Sequence, residues 1–136
     1  MKGLGILAAA GLATWALTTM RIDAQSAAIY GGGNDFQAYC SSCHGPSGKG
    51  DGPIASSFRK RPADLTRLSA RNNGTFPADI VFKTIEGKTP VSGHGGPDMP
   101  TWGDVFLKSA ESSSVDAVRT RIDTLVKYLE TLQDKR

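Results

Sequence analysis

The stretch that decides the reading is Cys40-Ser41-Ser42-Cys43-His44. Two thiols three residues apart fall on one helical turn, with an imidazole immediately after the second. The chain has only these two cysteines, so no multi-bridge disulfide framework is available and the pair acts locally. C-x-x-C-H is the spacing of covalent haem attachment. Each thiol can add to one of two vinyl groups on neighbouring pyrrole rings, and the histidine is then held beneath the iron as proximal ligand. Other readings compete. A redox-active C-x-x-C prefers a strand followed by a helix N-terminus, a setting this sequence lacks. A zinc site needs four ligands, and Cys40, Cys43, His44 and His94 supply that count but leave the Gly/Pro-rich loops and Met99 without a purpose. A plain disulfide gives no role to His44.

Upstream, Gly31, Gly32 and Gly33 read as a joint. Asn34 and Asp35 then stand as helix-capping candidates ahead of Phe36, Ala38, Tyr39 and Cys40, so a short helix is expected to run into the cysteines. Further upstream, Lys2 precedes an apolar run from Leu4 to Leu17 that Arg21 and Asp23 terminate. Residues 1–24 are expected to be a secretory signal peptide, cut between Ala24 and Ala28, and residues 25–136 the folded domain. A retained membrane anchor is the alternative, since the run is at the short end of a membrane span.

Downstream, Gly45 to Pro53 carries four glycines and two prolines, which calls for tight turns around something rather than regular structure. Pro62 to Ala70 could hold a brief helix. Phe76 to Glu86 reads as a helix, with Thr75 as N-cap, Pro77 in the first turn, Gly87 as stop and Ile80, Val81 and Ile85 on one face. Gly87 to Trp102 is irregular around His94 and Met99, and a loop that long in a small domain usually has a function. The clearest helix is Ser114 to Gln133, where Val115, Val118, Ile122, Leu125, Val126, Leu129 and Leu132 recur at helical spacing. With no alternating strand pattern, the expected fold class is all-α, three to five helices with long Gly/Pro-rich loops. In a domain this small, a large apolar cofactor would help complete the core.

The formal net charge of +3 falls to about +2 once Lys2, Arg21 and Asp23 leave with the leader. That is too mild to argue for nucleic acid. Arg59, Lys60, Arg61, Arg67 and Arg71 do cluster, and they read either as a solvated positive face or as a patch for an acidic partner.

Across residues 25–136 the sequence resembles class I, mitochondrial-like cytochromes c of the bacterial type. Gly32, Phe36, Cys40, Cys43 and His44 match the first helix of that family, in which a glycine and an aromatic precede the haem cysteines at four-residue intervals. Gly52-Pro53 resembles its Gly-Pro turn. The resemblance implies one covalent haem c in a small cytochrome c fold, with the Pro53 carbonyl accepting a hydrogen bond from His44. It implies a methionine as sixth ligand. Met99 in Asp98-Met99-Pro100-Thr101-Trp102 fills that place, because the other methionines, Met1 and Met20, lie in the leader. His94 is the rival ligand, or a loop residue that bonds a propionate. In the family an arginine after the Gly-Pro turn often neutralises a propionate, and Arg61 stands at a compatible distance, with Arg59 and Lys60 as alternatives. Trp102 is expected near the haem edge, and Tyr128 is expected to pack across Gly32 and Phe36.

With His44 and Met99 on both faces of the iron, no site stays open for substrate. The expected role is a periplasmic single-electron carrier, not an enzyme, serving a dehydrogenase or reductase on one side and an oxidase or other cytochrome on the other. Such encounters are small and transient, with Arg59 to Arg71 and Lys88 as steering charges. The alternatives are a dedicated haem subunit of a respiratory dehydrogenase complex, or a haem catalyst or gas sensor in which Met99 is displaced. Contact with the membrane is expected only if the leader is retained.

Overall fold

The computed structural model describes residues 24–88, 99–109 and 114–134; residues 1–23, where a signal peptide is expected, and His94 lie outside these. Helix is the only regular structure among the described residues, and the fold is all-α. A helical run, α1, covers residues 24–44, passing through a π-helical stretch at Phe36–Cys40 and ending in the α turn Ser41–His44. A 3₁₀ turn at Ala55–Ser57 follows, then a second at Leu65–Arg67 that leads into α2, Leu68–Arg71. Next come α3 at Ala78–Glu86, α4 at Trp102–Leu107 and α5 at Val115–Thr131. No helix among the described residues is long and apolar enough to cross a membrane.

The sequence placed a glycine joint and caps before Phe36, whereas the helix runs through all of them. Packing outweighs propensity at this point. A side chain on Gly32 would overlap the Thr124 carbonyl of α5 and reach within 3.0 Å of Tyr128 Cβ, so glycine is what lets the two helices cross in contact. Tyr128 closes the crossing, its ring centroid 5.4 Å from that of Phe36, as expected. Asp35 makes no capping bond and is instead paired with Arg121 on α5. Gly32→Ala should therefore cost about 1–3 kcal/mol, the usual penalty of overpacking. Urea denaturation followed by circular dichroism would measure it, and a cost near zero would mean that the helices can part without loss.

α5 begins where the pattern placed it, with the Ser114 hydroxyl accepting from Ala117 N at 3.1 Å as N-cap. It buries Val118, Ile122, Leu125, Val126 and Leu129. α3 ends at Gly87, but its N-cap position falls at Pro77, without a side-chain cap, rather than at Thr75. Its Val81 and Ile85 join the core, while Ile80 is 56% exposed and lines the cavity described below. α4 was not anticipated: it is only six residues long and is held by burying Phe106 against α5 and α3.

Candidate haem site

The end of α1, the extended segment before α2, α3 and the start of α4 enclose a cavity of about 510 Å³, within the range of cofactor pockets. Phe36, Leu65, Leu68, Val81, Ile85 and Leu125 give it apolar walls. Lys60, Arg61 and Arg71 line it while remaining exposed to solvent, so positive charge stands at its rim.

Three of the five motif residues, Cys40, Cys43 and His44, line the cavity. Both cysteines are unbridged and half-buried. Burial pushes the Cys40 thiol up to about 12, assisted by the negative charge of Asp35 and by Cys43. At neutral pH it is a thiol, the form that adds its S–H across a vinyl group. Dithiol exchange chemistry would need a thiolate. Among the described residues, no group of three or more His, Cys, Asp or Glu is placed to hold a metal ion by itself.

His44 is 6% exposed. Its Nδ1 lies 2.9 Å from the Ala63 carbonyl oxygen. A carbonyl only accepts, so Nδ1 carries the proton and Nε2 is the nitrogen with a lone pair for a metal. Burial lowers the pKa of the ring, outweighing the opposite pull of the Ala63 bond, and keeps the imidazole in the neutral form that ligation requires.

Ala63 takes the place the sequence reading gave to Pro53. Pro53 is exposed and is absent from the cavity wall. The Gly52-Pro53 turn is tied elsewhere, with Gly52 N donating to Cys43 O at 3.2 Å and Ile54 N donating to Ser42 O at 3.1 Å. It packs against the backbone of the last turn of α1, not against the imidazole. The chain reaches His44 ten residues later, where Leu65 N donates to Gly48 O at 2.7 Å. Gly50, at φ +76°, leaves room for the Pro62 carbonyl, which a side chain there would overlap. The sequence carried one clue to this turn, because Asp64 accepts from Thr66 N at 3.0 Å, a local Asx-type arrangement.

The remaining predicted residues converge on the same cavity. Met99, half-buried, enters its wall from the segment before α4. Trp102 lines it and stands edge-on to Tyr39, with ring centroids 5.7 Å apart; Tyr39, also on the wall, was not singled out from sequence. Arg61 lines the rim, its Nε donating to Gly50 O at 3.3 Å. The residues fit a covalently held haem: two available thiols, a neutral imidazole of fixed tautomer, a thioether from another segment, apolar walls and cations at the rim.

A family model described as Cytochrome c matches residues 32–133, which spans the cavity and every element from Gly32 to the end of α5. No curated protein and no solved structure matches the chain significantly.

Proposed function

Since this chain belongs to the cytochrome c family, whose members bind haem c covalently and transfer electrons, we propose that it is a class I monohaem carrier working in the periplasm. The observation that carries the reading is the convergence of Cys40, Cys43, His44 and Met99 on one apolar cavity, with the His44 tautomer set by Ala63. Cys40 and Cys43 form the two thioethers. His44 Nε2 and Met99 Sδ would ligate the iron, which when bound would supply reversible one-electron exchange.

The chain's own residues set the conditions for that exchange. With His44 and Met99 both held for the iron, no ligand place would remain for a substrate, which argues for a carrier rather than a catalyst. A thioether ligand and apolar walls favour the reduced state relative to two histidines in a wet site. Arg61, together with Lys60 and Arg71, offers charge to the haem carboxylates, while Trp102 and Tyr39 close one wall. Partners are redox proteins, a dehydrogenase or reductase as donor and an oxidase or second cytochrome as acceptor, met through a small transient interface. Export rests on the apolar run from Leu4 to Leu17, with mature chains starting between residues 24 and 28.

The test is to express the full chain in a host able to attach haem and to sequence the N-terminus of the exported product. A haem-stained band on a denaturing gel is expected. So are a sharp reduced α-band, a weak far-red band in the oxidised state and no change with carbon monoxide. Replacing Cys40 and Cys43 together by alanine should abolish the stained band. A band that persists in that variant, or none in the unmodified protein, would overturn the reading.

A further inference from the structure

The C-terminal end of α5 is tied to the segment that orients His44. Gln133 Nε2 donates to Leu65 O and to Leu129 O, each at 2.8 Å, and its Oε1 accepts from Ser69 N at 2.9 Å. The primary amide thus uses both of its N–H groups and its carbonyl. The bond to Leu129 gives a second donor to a carbonyl in the last turn of the helix, which also accepts from Leu132 N at 3.2 Å, and the other two fix the peptide chain at the Leu65–Arg67 turn and just after it. Asp134 adds a backbone bond, its N donating to Thr66 O at 2.9 Å. Its carboxylate adds little, because the Thr66 hydroxyl has one proton and lies 2.7 Å from Asp64 Oδ1 but 3.3 Å from Asp134 Oδ2.

Two residues before Leu65 stands Ala63, whose carbonyl accepts from His44 Nδ1. Residues 63–69 are therefore held by His44 itself, by Gly48 through Leu65 N, by Gln133, and by the Asp134 backbone through Thr66 O. The first is the contact to be positioned, and the second constrains only the N–H side of Leu65. Gln133 is the side chain that holds the Leu65 carbonyl, and with it the pitch of the peptide chain leading back to Ala63.

We propose that Gln133 is a positioning residue for the iron ligand: it anchors the 63–69 segment so that the Ala63 carbonyl stays aimed at His44 Nδ1. The proposal rests on the reading that His44 ligates haem iron. A hydrogen bond from Nδ1–H to a carbonyl makes the imidazole a stronger donor to the metal, which favours the oxidised state. Loosening that bond should raise the midpoint potential and expose the Nδ1 proton to exchange.

The experiment compares three holoprotein variants with the unmodified protein. Gln133→Met keeps the length of the side chain and removes all three bonds. Gln133→Glu keeps the acceptor for Ser69 N and loses the donor to Leu65, which guards against a variant that fails to fold. Ser114→Ala weakens the same helix by removing its N-cap at the far end. Proton NMR of the ferrous protein reads exchange of the His44 Nδ1–H, and spectroelectrochemical titration reads the midpoint potential. Both Gln133 variants are expected to speed exchange tenfold or more and to shift the potential upward, with Ser114→Ala changing neither. Gln133 variants that respond no more than Ser114→Ala overturn the positioning role while leaving His44 as ligand. An unmodified protein without an iron-bound His44 signal overturns the ligand assignment, and the positioning role with it.

Discussion

Replacing Met99 by alanine is expected to leave the haem covalently attached but to turn the reduced protein from one that ignores carbon monoxide into one that binds it stoichiometrically. Attachment depends on the two thiols of α1, which lie far from Met99 in sequence and are reached by a different element. In the proposed reading the sixth position is filled by the Met99 thioether, and no other methionine lies outside residues 1–20. Alanine is too short to reach a metal and leaves a space that a diatomic ligand can enter. The far-red band of the oxidised protein should vanish in the same variant, and the midpoint potential should fall as a weaker, harder ligand such as water takes the position. Difference spectra with and without carbon monoxide read the outcome directly. A Met99→Ala protein with an unchanged spectrum would place the sixth ligand elsewhere, and His94 would then be the residue to replace next.

How far the sequence discloses this site depends on how local each feature is. The C-x-x-C-H motif is complete within five residues, so its spacing alone implied its chemistry, and the structure adds only that all three functional groups share one cavity. α5 was legible for a related reason: a seventeen-residue helix repeats its apolar face enough times for the period to be unmistakable. α4 could not be read this way, because six residues make fewer than two turns and its stability comes from Phe106 alone among its residues being fully buried.

The misreadings at Gly31 to Asp35 and at Pro53 share a different cause. Glycines before Phe36 suggest a break by local propensity, yet Gly32 is there to admit the Thr124 backbone, a partner more than ninety residues away in the chain. Likewise, which carbonyl reaches His44 depends on how the Gly45 to Pro53 loop is tied down. That is decided by bonds from Gly52 and Ile54 to α1 and from Leu65 to Gly48, none of which a residue pattern displays. Met99, Arg61 and Trp102 entered through the family resemblance, and the cavity gathers all three.

The crossing of α1 and α5 carries the second large expected effect. Asp35→Ala should destabilise the protein by about 2–4 kcal/mol, somewhat below the cost of stranding one partner of a fully buried ion pair, because this pair is part-buried. Arg121 grips Asp35 as a fork, Nε to Oδ2 and NH2 to Oδ1, both at 2.7 Å, with side chains only 12% and 18% exposed. The hydrogen bonds to Asp35 hold the guanidinium above the ordinary arginine range, so it stays charged at any working pH and cannot escape the loss by giving up a proton. Its other contacts include the ring faces of Phe106 at 4.2 Å and Tyr39 at 5.0 Å from the guanidinium carbon and a hydrogen bond with the Tyr39 side chain, which replace only part of a carboxylate's stabilisation.

Since about 1 kcal/mol shifts the midpoint of a domain near this size by several degrees, thermal unfolding of the holoprotein should move down by roughly 10 °C or more. The pair itself need not be worth that much, because both charges were desolvated to form it. Asp35→Leu combined with Arg121→Met should therefore recover most of the loss, and the double-mutant cycle separates the coupling from the stranded charge. The effect should also reach the haem. Tyr39 lies under Arg121 and is edge-on to Trp102 across the cavity wall, so loosening the pair should broaden the environment of Trp102, visible as a shift in its fluorescence. A loss below about 1 kcal/mol for Asp35→Ala would instead class the pair with exposed salt bridges and leave Gly32, Phe36 and Tyr128 as what holds the crossing.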